Sequence, residues 1–347
     1  MPNLKSVNRS GIFYNCTSIT NINIPEVTSI SSSYGSYSTF YGVKVKHFNL
    51  PKLKAIEGYT FYGCNQLETL YVPELEEIKN GDNFSGNKLK ILPSVHPKLR
   101  IINSTKAFNS RLAGDYEFPA LTNLSNNSFY YSSINSLTAT NLITLSGSVF
   151  EGCSSLTNLV FGNKLKTLNG SICKDCTALR NFEPFLPDNL EALGNYCFYN
   201  CGKLEKDCVK INSELITSIL EGTFYKAGKI SRFEINAPIA SIGKNAFNDI
   251  MPGAEIVFGK NATTAPTVWN ATSPIKAKSA PYAKIIVMKN IGSWTALSNF
   301  TSIENVADKY KTAAYGYTGD RHQLGLINGV AWLIDNSAPV GTSIVIK

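Results

Sequence analysis

Eleven aromatic-led segments recur along the chain at spacings of 21 to 27 residues, and this periodicity constrains the fold more than any single residue does. The clearest copy runs from Phe61 to Ile78, with Phe61, Cys64, Leu67, Leu70, Val72, Pro73, Leu75 and Ile78 at its marked positions. The first copy repeats those offsets with Phe13, Cys16, Ile19, Ile22, Ile24, Pro25, Val27 and Ile30. A unit this short cannot bury its apolar face alone, whereas stacked copies build one continuous core. The other anchors are Phe40, Phe84, Phe108, Phe129, Phe150, Cys173, Phe198, Phe224 and Phe247. Cys173 stands where a Phe is expected, but Cys176, Leu179 and Phe182 follow it at the proper offsets. The units from Phe84 and Phe108 depart furthest from the pattern. The unit from Phe198 is stretched: Leu204 and Val209 fit, and its second apolar pair is expected at Leu215 and Ile219.

Each unit reads as two short apolar stretches separated by a turn. The first, Leu67-Glu68-Thr69-Leu70-Tyr71-Val72 in the clearest copy, ends in the period-two alternation of a half-buried strand. Pro73 then closes it, because proline has no N–H to give to a ladder. The second stretch returns two apolar side chains to the core, as in Leu53/Ile56, Leu75/Ile78, Leu121/Leu124, Leu165/Leu168, Leu190/Leu193 and Ile239/Ile242. The expected architecture is therefore a β-rich, leucine-rich repeat solenoid: a curved, right-handed, parallel-sheet array over residues 1–260, about 50 Å long at about 4.8 Å per turn. A C-terminal cap closes it.

Beyond residue 260 the pattern changes. Residues 261–307 are expected to form the capping unit, with a strand at Lys284-Ile285-Ile286-Val287 and a polar helical segment around Trp294, Leu297 and Phe300. Residues 308–347 form a short β-rich tail. Asn328-Gly329, between Leu324–Ile327 and Val330–Ile334, is the pattern of a two-residue hairpin. Ser343–Ile346 offers a third strand. This tail is either a small appendage or the start of a further domain.

Hydrophobic residues, at 43%, are ample for a core, and charged residues, at 17%, fall below the usual quarter. The net charge of +8 does not point to nucleic acid, because no basic run interleaves with stacking aromatics. No apolar stretch is long enough to span a bilayer. Leu4 and Val7 already have the spacing of Leu75 and Ile78, so a repeat is under way at the start of the chain. That predicts an export signal and further repeats upstream, with an intact cytosolic protein as the competing explanation.

Cys16, Cys64, Cys153, Cys176 and Cys201 all stand three residues after an anchor, where other units have Val43, Asn87, Ser132 and Ala227. The slot accepts a small, mostly buried group, and a stack of free thiols is the expectation. Cys173-Lys174-Asp175-Cys176 is a single pair without a companion pair or histidine, so no metal site is read. Cys197 and Cys208 lie outside the slot and are the positions where a disulfide is least unexpected. His47, His96 and His322 are scattered, and none has a nucleophile setting. Glu76 and Glu77 should diverge on an extended backbone. No catalytic residues and no cofactor are read from the chain.

Written F-x-x-C-x-x-L-x-x-L-x-V-P-x-L-x-x-I, the unit resembles the BspA-like leucine-rich repeat family of bacterial surface proteins, abundant in Bacteroidetes. The resemblance covers about residues 1–260. Ile285-Ile286-Val287, Gly292-Ser293-Trp294 and Phe300-Thr301-Ser302-Ile303 are similar to that family's closing unit. It implies an exported or surface-attached, non-enzymatic protein, adhesin-like, that binds a host or bacterial protein. A glycan-binding protein for polysaccharide capture and an accessory module of a larger enzyme are the alternatives. The family supplies no shared binding residues. A ligand on the strand face would meet the outward positions, among which Tyr71, Arg180, Arg232, His47 and Asn158 are the candidates. Tyr and Arg are favoured as interface anchors. Exposed Tyr71, Tyr130 and Tyr131 would be the stacking platforms for a glycan.

Overall fold

The computed structural model describes residues 1–254 except 2, 34–36, 85, 87, 88, 90–95, 106, 109–111, 248 and 251–253, and beyond them the strands at 255–258, 268–269, 284–287, 300–302, 322–327 and 330–335. The chain divides into two units, Met1–Pro184 and Phe185–Lys347. Among the described residues there is no α-helix; both units are stacked β-strands joined by turns.

In the first unit the longest continuous ladder runs through the second apolar stretch of each repeat. Eight strands pair in parallel: Ser6–Val7, Ser29–Ser32, Ala55–Gly58, Glu77–Lys79, Ile101–Asn103, Asn123–Ser125, Thr144–Ser146 and Thr167–Asn169. Their register sets Val7, Ile30, Ile56, Ile78, Ile102, Leu124, Leu145 and Leu168 in one row, and all eight are buried. β-Branched and leucine side chains facing inward at every turn explain why so short a strand holds its register: a slip of one residue would send the whole row into water.

The first apolar stretch also forms parallel strands, in two pieces. His47–Asn49 pairs with Thr69–Tyr71, Phe48 facing Leu70. Ala113–Glu117, Ser133–Ala139, Asn158–Phe161 and Asn181–Glu183 form a four-stranded ladder with Tyr116, Leu137, Leu159 and Phe182 inward. A register shift between Ile134 and Ser136 marks a bulge at Asn135, whose side chain is exposed.

The anchors form the spine of the core. Phe13, Phe40, Phe61, Phe84, Phe108, Phe129 and Phe150 follow one another with ring centroids 4.7–6.0 Å apart, most of them near-parallel. Cys173 continues the column as a fully buried thiol, a smaller group where the ring would be. The residue just before the anchor carries a second, unexpected column. Thr60 and Ser128 are buried and donate to the carbonyls of Glu57 (2.8 Å) and Ser125 (2.5 Å), three residues back; buried Asn83 does the same to Asn80 (2.9 Å). These side chains bond carbonyls at or just past the ends of the ladder strands, where a dry interior requires polar groups to find partners.

In the second unit Val209–Ile211, Arg232–Ile235, Glu255–Phe258 and Lys284–Val287 pair in parallel. Ser218–Ile219, Ser241–Ile242 and Val268–Trp269 make the companion ladder. The strand expected at Lys284–Val287 is present. Beside it lies Val330–Asp335, which turns back antiparallel onto His322–Ile327 with Ile327 opposite Val330, the pairing of a two-residue hairpin. Trp294, Leu297, Asn328, Gly329 and Ser343–Ile346 lie outside the described residues, as does Asn87 in the first unit.

Two expectations are corrected here. Phe300, placed by sequence in a helical segment, belongs to the strand Phe300–Ser302, paired antiparallel with Gly325–Ile327. An edge of that hairpin offers a ladder to an aromatic and β-branched run suited to it. Leu215 does not enter the core: it is 63% exposed, and Ile216 is buried instead. The pair keeps its fixed spacing of three, so Ile219 dictates position 216, and the stretched turn is absorbed before it.

Candidate binding surface

Each repeat of the first unit presents three surfaces to solvent: the outward sides of the two ladders and the turns around the anchor. On the first-stretch ladder, His47 and Thr69 stand opposite each other with His47 Nδ1 2.8 Å from Thr69 Oγ1. Asn49 faces Tyr71, whose ring is 54% exposed. Lys46 and Glu68 pair at 3.4 Å beside them. Four polar or aromatic side chains thus share one small face because each alternates with a buried residue of its own strand.

The four-stranded ladder carries the wider face. Register aligns Asp115, Ser136, Asn158 and Asn181 in one outward row and Glu117, Thr138, Val160 and Glu183 in the next. Ser136 Oγ donates to Asp115 Oδ1 at 2.6 Å, and Asn181 Nδ2 donates to Asn158 Oδ1 at 2.8 Å. Arg180 is exposed one residue before its strand, with its amide bonded to Thr157 O at 2.9 Å. Thr157 N and Oγ1 both donate to the carbonyl of the bulged Asn135. The result is a face whose centre is uncharged, with Asp115 and Glu117 on one edge strand and Arg180 and Glu183 at the other.

The five residues named from sequence are not brought together. His47 and Tyr71 share the two-stranded face, Asn158 and Arg180 the four-stranded one. Arg232 belongs to the second unit, where it is half-buried in register with Glu255. Sequence reasoning passed over Asp115, Glu117 and Ser136. A signal was there: Asp115-Tyr116-Glu117-Phe118-Pro119 repeats the alternation and closing proline of Thr69-Leu70-Tyr71-Val72-Pro73.

The other ladder is flanked by charges that alternate in sign from turn to turn. Glu26 meets Lys52 at 2.7 Å, and Glu74 meets Lys98 at 2.5 Å. Glu76 takes Lys54 and Arg100, each at 3.3 Å. Arg100 also reaches Glu77 at 3.3 Å, so the two adjacent carboxylates converge on one guanidinium instead of diverging. Glu76 sits at the bend just before its strand, where alternation has not begun. Hydrogen bonds from Lys54 and then Arg100 lower its pKa.

On the anchor side, the rings of Tyr14, Tyr41 and Tyr62 stack at 5.2 and 6.4 Å, with Tyr37 tilted onto Tyr14 at 5.4 Å. All eight cysteines are free thiols, six of them buried and Cys16 and Cys208 half-open. Cys153 and Cys176 Sγ donate to the carbonyls of Phe129 and Phe150, each at 3.0 Å. Burial pushes the thiol of Cys64 up to about 12, and burial with Cys176 nearby does the same to Cys153. Among the described residues no group of three or more His, Cys, Asp or Glu could hold a metal ion, and no helix is long and apolar enough to cross a membrane.

The chain matches the BspA type leucine rich repeat region over residues 2–115, 83–205 and 122–253, in six copies. No curated protein matches it. Among solved structures it is similar to a leucine-rich repeat protein from Bacteroides ovatus ATCC 8483, at 18% identity over 75% of this chain and 71% of that one, with a TM-score of 0.51. A leucine rich cell surface protein from Faecalibacterium prausnitzii A2-165 aligns at 12% identity over 91% of this chain and 87% of that one, with a TM-score of 0.38. The first of these likenesses is one of fold. With the repeat matched over most of the chain and its two ladders and ring column in place, the protein belongs to the BspA-type leucine-rich repeat family.

Proposed function

We propose that this protein is a non-enzymatic, adhesin-like interaction module, secreted or displayed on the cell surface, that seats a protein partner on the outward face of the four-stranded ladder. The observation that supports it best is the alignment of Asp115, Ser136, Asn158 and Asn181 across four strands, with exposed Arg180 at the margin. Such a face is held by the core behind it and loses little freedom on binding, which is what preorganisation contributes to affinity. Arginine is enriched among hot-spot residues, so a partner centred on this end of the ladder would take Arg180 as its anchor. The smaller face around His47 and Tyr71 would extend the contact. The array to residue 260, a closing unit at 261–307 and a tail at 308–347 form part of this reading.

The test is binding of the whole chain to a panel of extracellular-matrix proteins at low and moderate salt. We expect a partner whose affinity tolerates salt and falls about 30-fold or more in Arg180→Ala, the loss typical of an interface anchor. Asn158→Ala and Tyr71→Ala should cost less. A response that vanishes with added salt would mean that the net charge acts alone. Unchanged affinity in all three variants would remove the site.

A further inference from the structure

Two residues after each anchor, the backbone turns through the left-handed region in every repeat described. In the first unit the residues are Asn15 (φ 55°), Gly42 (75°), Gly63 (69°), Gly86 (79°), Tyr131 (55°), Gly152 (75°) and Asp175 (61°). In the second they are Asn200 (58°), Lys226 (48°) and Asp249 (53°). Glycine adopts this conformation freely, and Asn and Asp tolerate it, whereas a bulky side chain is strained there. Lys226 and Tyr131 are the two exceptions. Lys226 uses its side chain internally, with the ammonium 5.2 Å from the centroid of the Tyr225 ring.

Tyr131 does not enter the core: the residue is 52% exposed. The ring is nonetheless held. Tyr130 meets it edge-on at 4.5 Å and 70°. A Cβ added to Gly152 would fall 2.7 Å from the Tyr131 ring, so the ring lies against the bare turn of the next repeat. The turns stack in register, Tyr131 N donating to Glu151 O at 2.9 Å and Gly152 N to Lys174 O at 2.8 Å. Beside the ring, Glu151 and Lys174 are paired at 2.8 Å and remain partly exposed, a neutral couple with spare donors and acceptors. Ser154, whose amide donates to Gly152 O at 2.8 Å, is exposed just beyond that turn.

We propose that Tyr131 is a saccharide-stacking platform, on which a neutral hexopyranose of a glycan lays its C–H face while Glu151 and Lys174 hydrogen-bond its hydroxyls. The polar groups beside the ring can meet the hydroxyls of a sugar whose C–H face lies on it. The balanced Glu151–Lys174 pair gives no preference for an acidic sugar. Tyr14, Tyr41 and Tyr62 do not offer the same platform, because their rings are stacked on one another. This site lies on the turns, apart from the strand face proposed above, and does not depend on it.

The experiment is saturation-transfer NMR on the full chain with hexasaccharides of β-1,4-glucan, β-1,4-galactan and α-mannan. Transfer to pyranose ring protons is expected with the natural chain, with Tyr131→Phe and with Arg180→Ala. Tyr131→Gly should lose it at least tenfold while its Tm stays level or rises, since glycine suits the turn. Lys226→Gly, the same relief at the other exception, should leave transfer unchanged. Absence of transfer from all three probes, or its survival in Tyr131→Gly, would overturn the proposal. So would a lower Tm in Tyr131→Gly, which would give the ring a packing role.

Discussion

At the scale of single residues, the repeat assigns each position an environment, and the environment sets the chemistry. The slot three residues after the anchor is buried at Cys64, Cys153, Cys176 and Cys201 and half-open at Cys16. A buried thiol resists ionisation, and only the thiolate reacts. We therefore expect a disulfide reagent at pH 8 to label Cys16 readily and Cys208 more slowly, since burial raises the Cys208 pKa as well. The six buried cysteines should stay silent until denaturant exposes all eight. Labelling of a third thiol in the native chain would show an open core. The raised pKa values also couple to stability. An unfolded thiol titrates near about 8.5, so above that pH the unfolded chain gives up protons that folded Cys64 and Cys153 keep until about 12. The stabilisation is whole below about pH 8 and shrinks as pH rises through that window, by at most about 1.4 kcal/mol per pH unit for each thiol. Urea midpoints at pH 7.5 and 10 should diverge less in a Cys64→Ala/Cys153→Ala variant than in the natural chain.

At the scale of elements, a strand of three residues persists because two ladders and a ring column share its side chains. Phe61 is fully buried, stacked on Phe40 at 5.2 Å and Phe84 at 5.5 Å, with the edge of Phe48 at 5.3 Å. Phe61→Ala should cost about 3–5 kcal/mol, because neighbouring turns locked by their own hydrogen bonds cannot collapse into the space. Phe13, which among the described rings stacks on Phe40 alone and is slightly exposed, should cost less by the same urea measurement. The anchors and the i, i+3 pairs were legible in the sequence, since apolar periodicity reports burial directly. The polar column of Thr60, Asn83 and Ser128 was not. Ser, Thr and Asn are usually exposed, and only the geometry of the turn reveals which carbonyl each must satisfy. Leu215 misled for a related reason: a lengthened turn shifts which of two adjacent apolar residues points inward.

For the whole molecule, stability in each unit is a sum of turns and of their contacts with the next turn. A lesion should therefore spread by position along the unit. In Phe61→Ala, hydrogen exchange should quicken first for amides around residues 40–84 and least for those near 144–169 in the same unit; uniform loss would mean that the unit unfolds as one cooperative block. The alternating ion pairs from Glu26 and Lys52 to Glu74 and Lys98 belong to this scale too. Each exposed pair contributes little. Together they cancel charge along the ladder's flank, so the net +8 does not describe that surface.

The sequence by itself determined the repeat, the inward rows, the anchor column, the thiol slot and the family, because each is written as a period and a period survives without coordinates. Only the tertiary structure decided which outward side chains meet. Asn158 joins Asn181 and Ser136 joins Asp115 through the register of separate strands, while Arg232 falls in another unit. It also decided that Tyr131 occupies a left-handed turn against Gly152. The physical reason is that burial is a property of one residue's place in the pattern, whereas a binding face is a relation among residues from different turns. Register and backbone turns set that relation, and neither leaves a periodic mark on exposed positions.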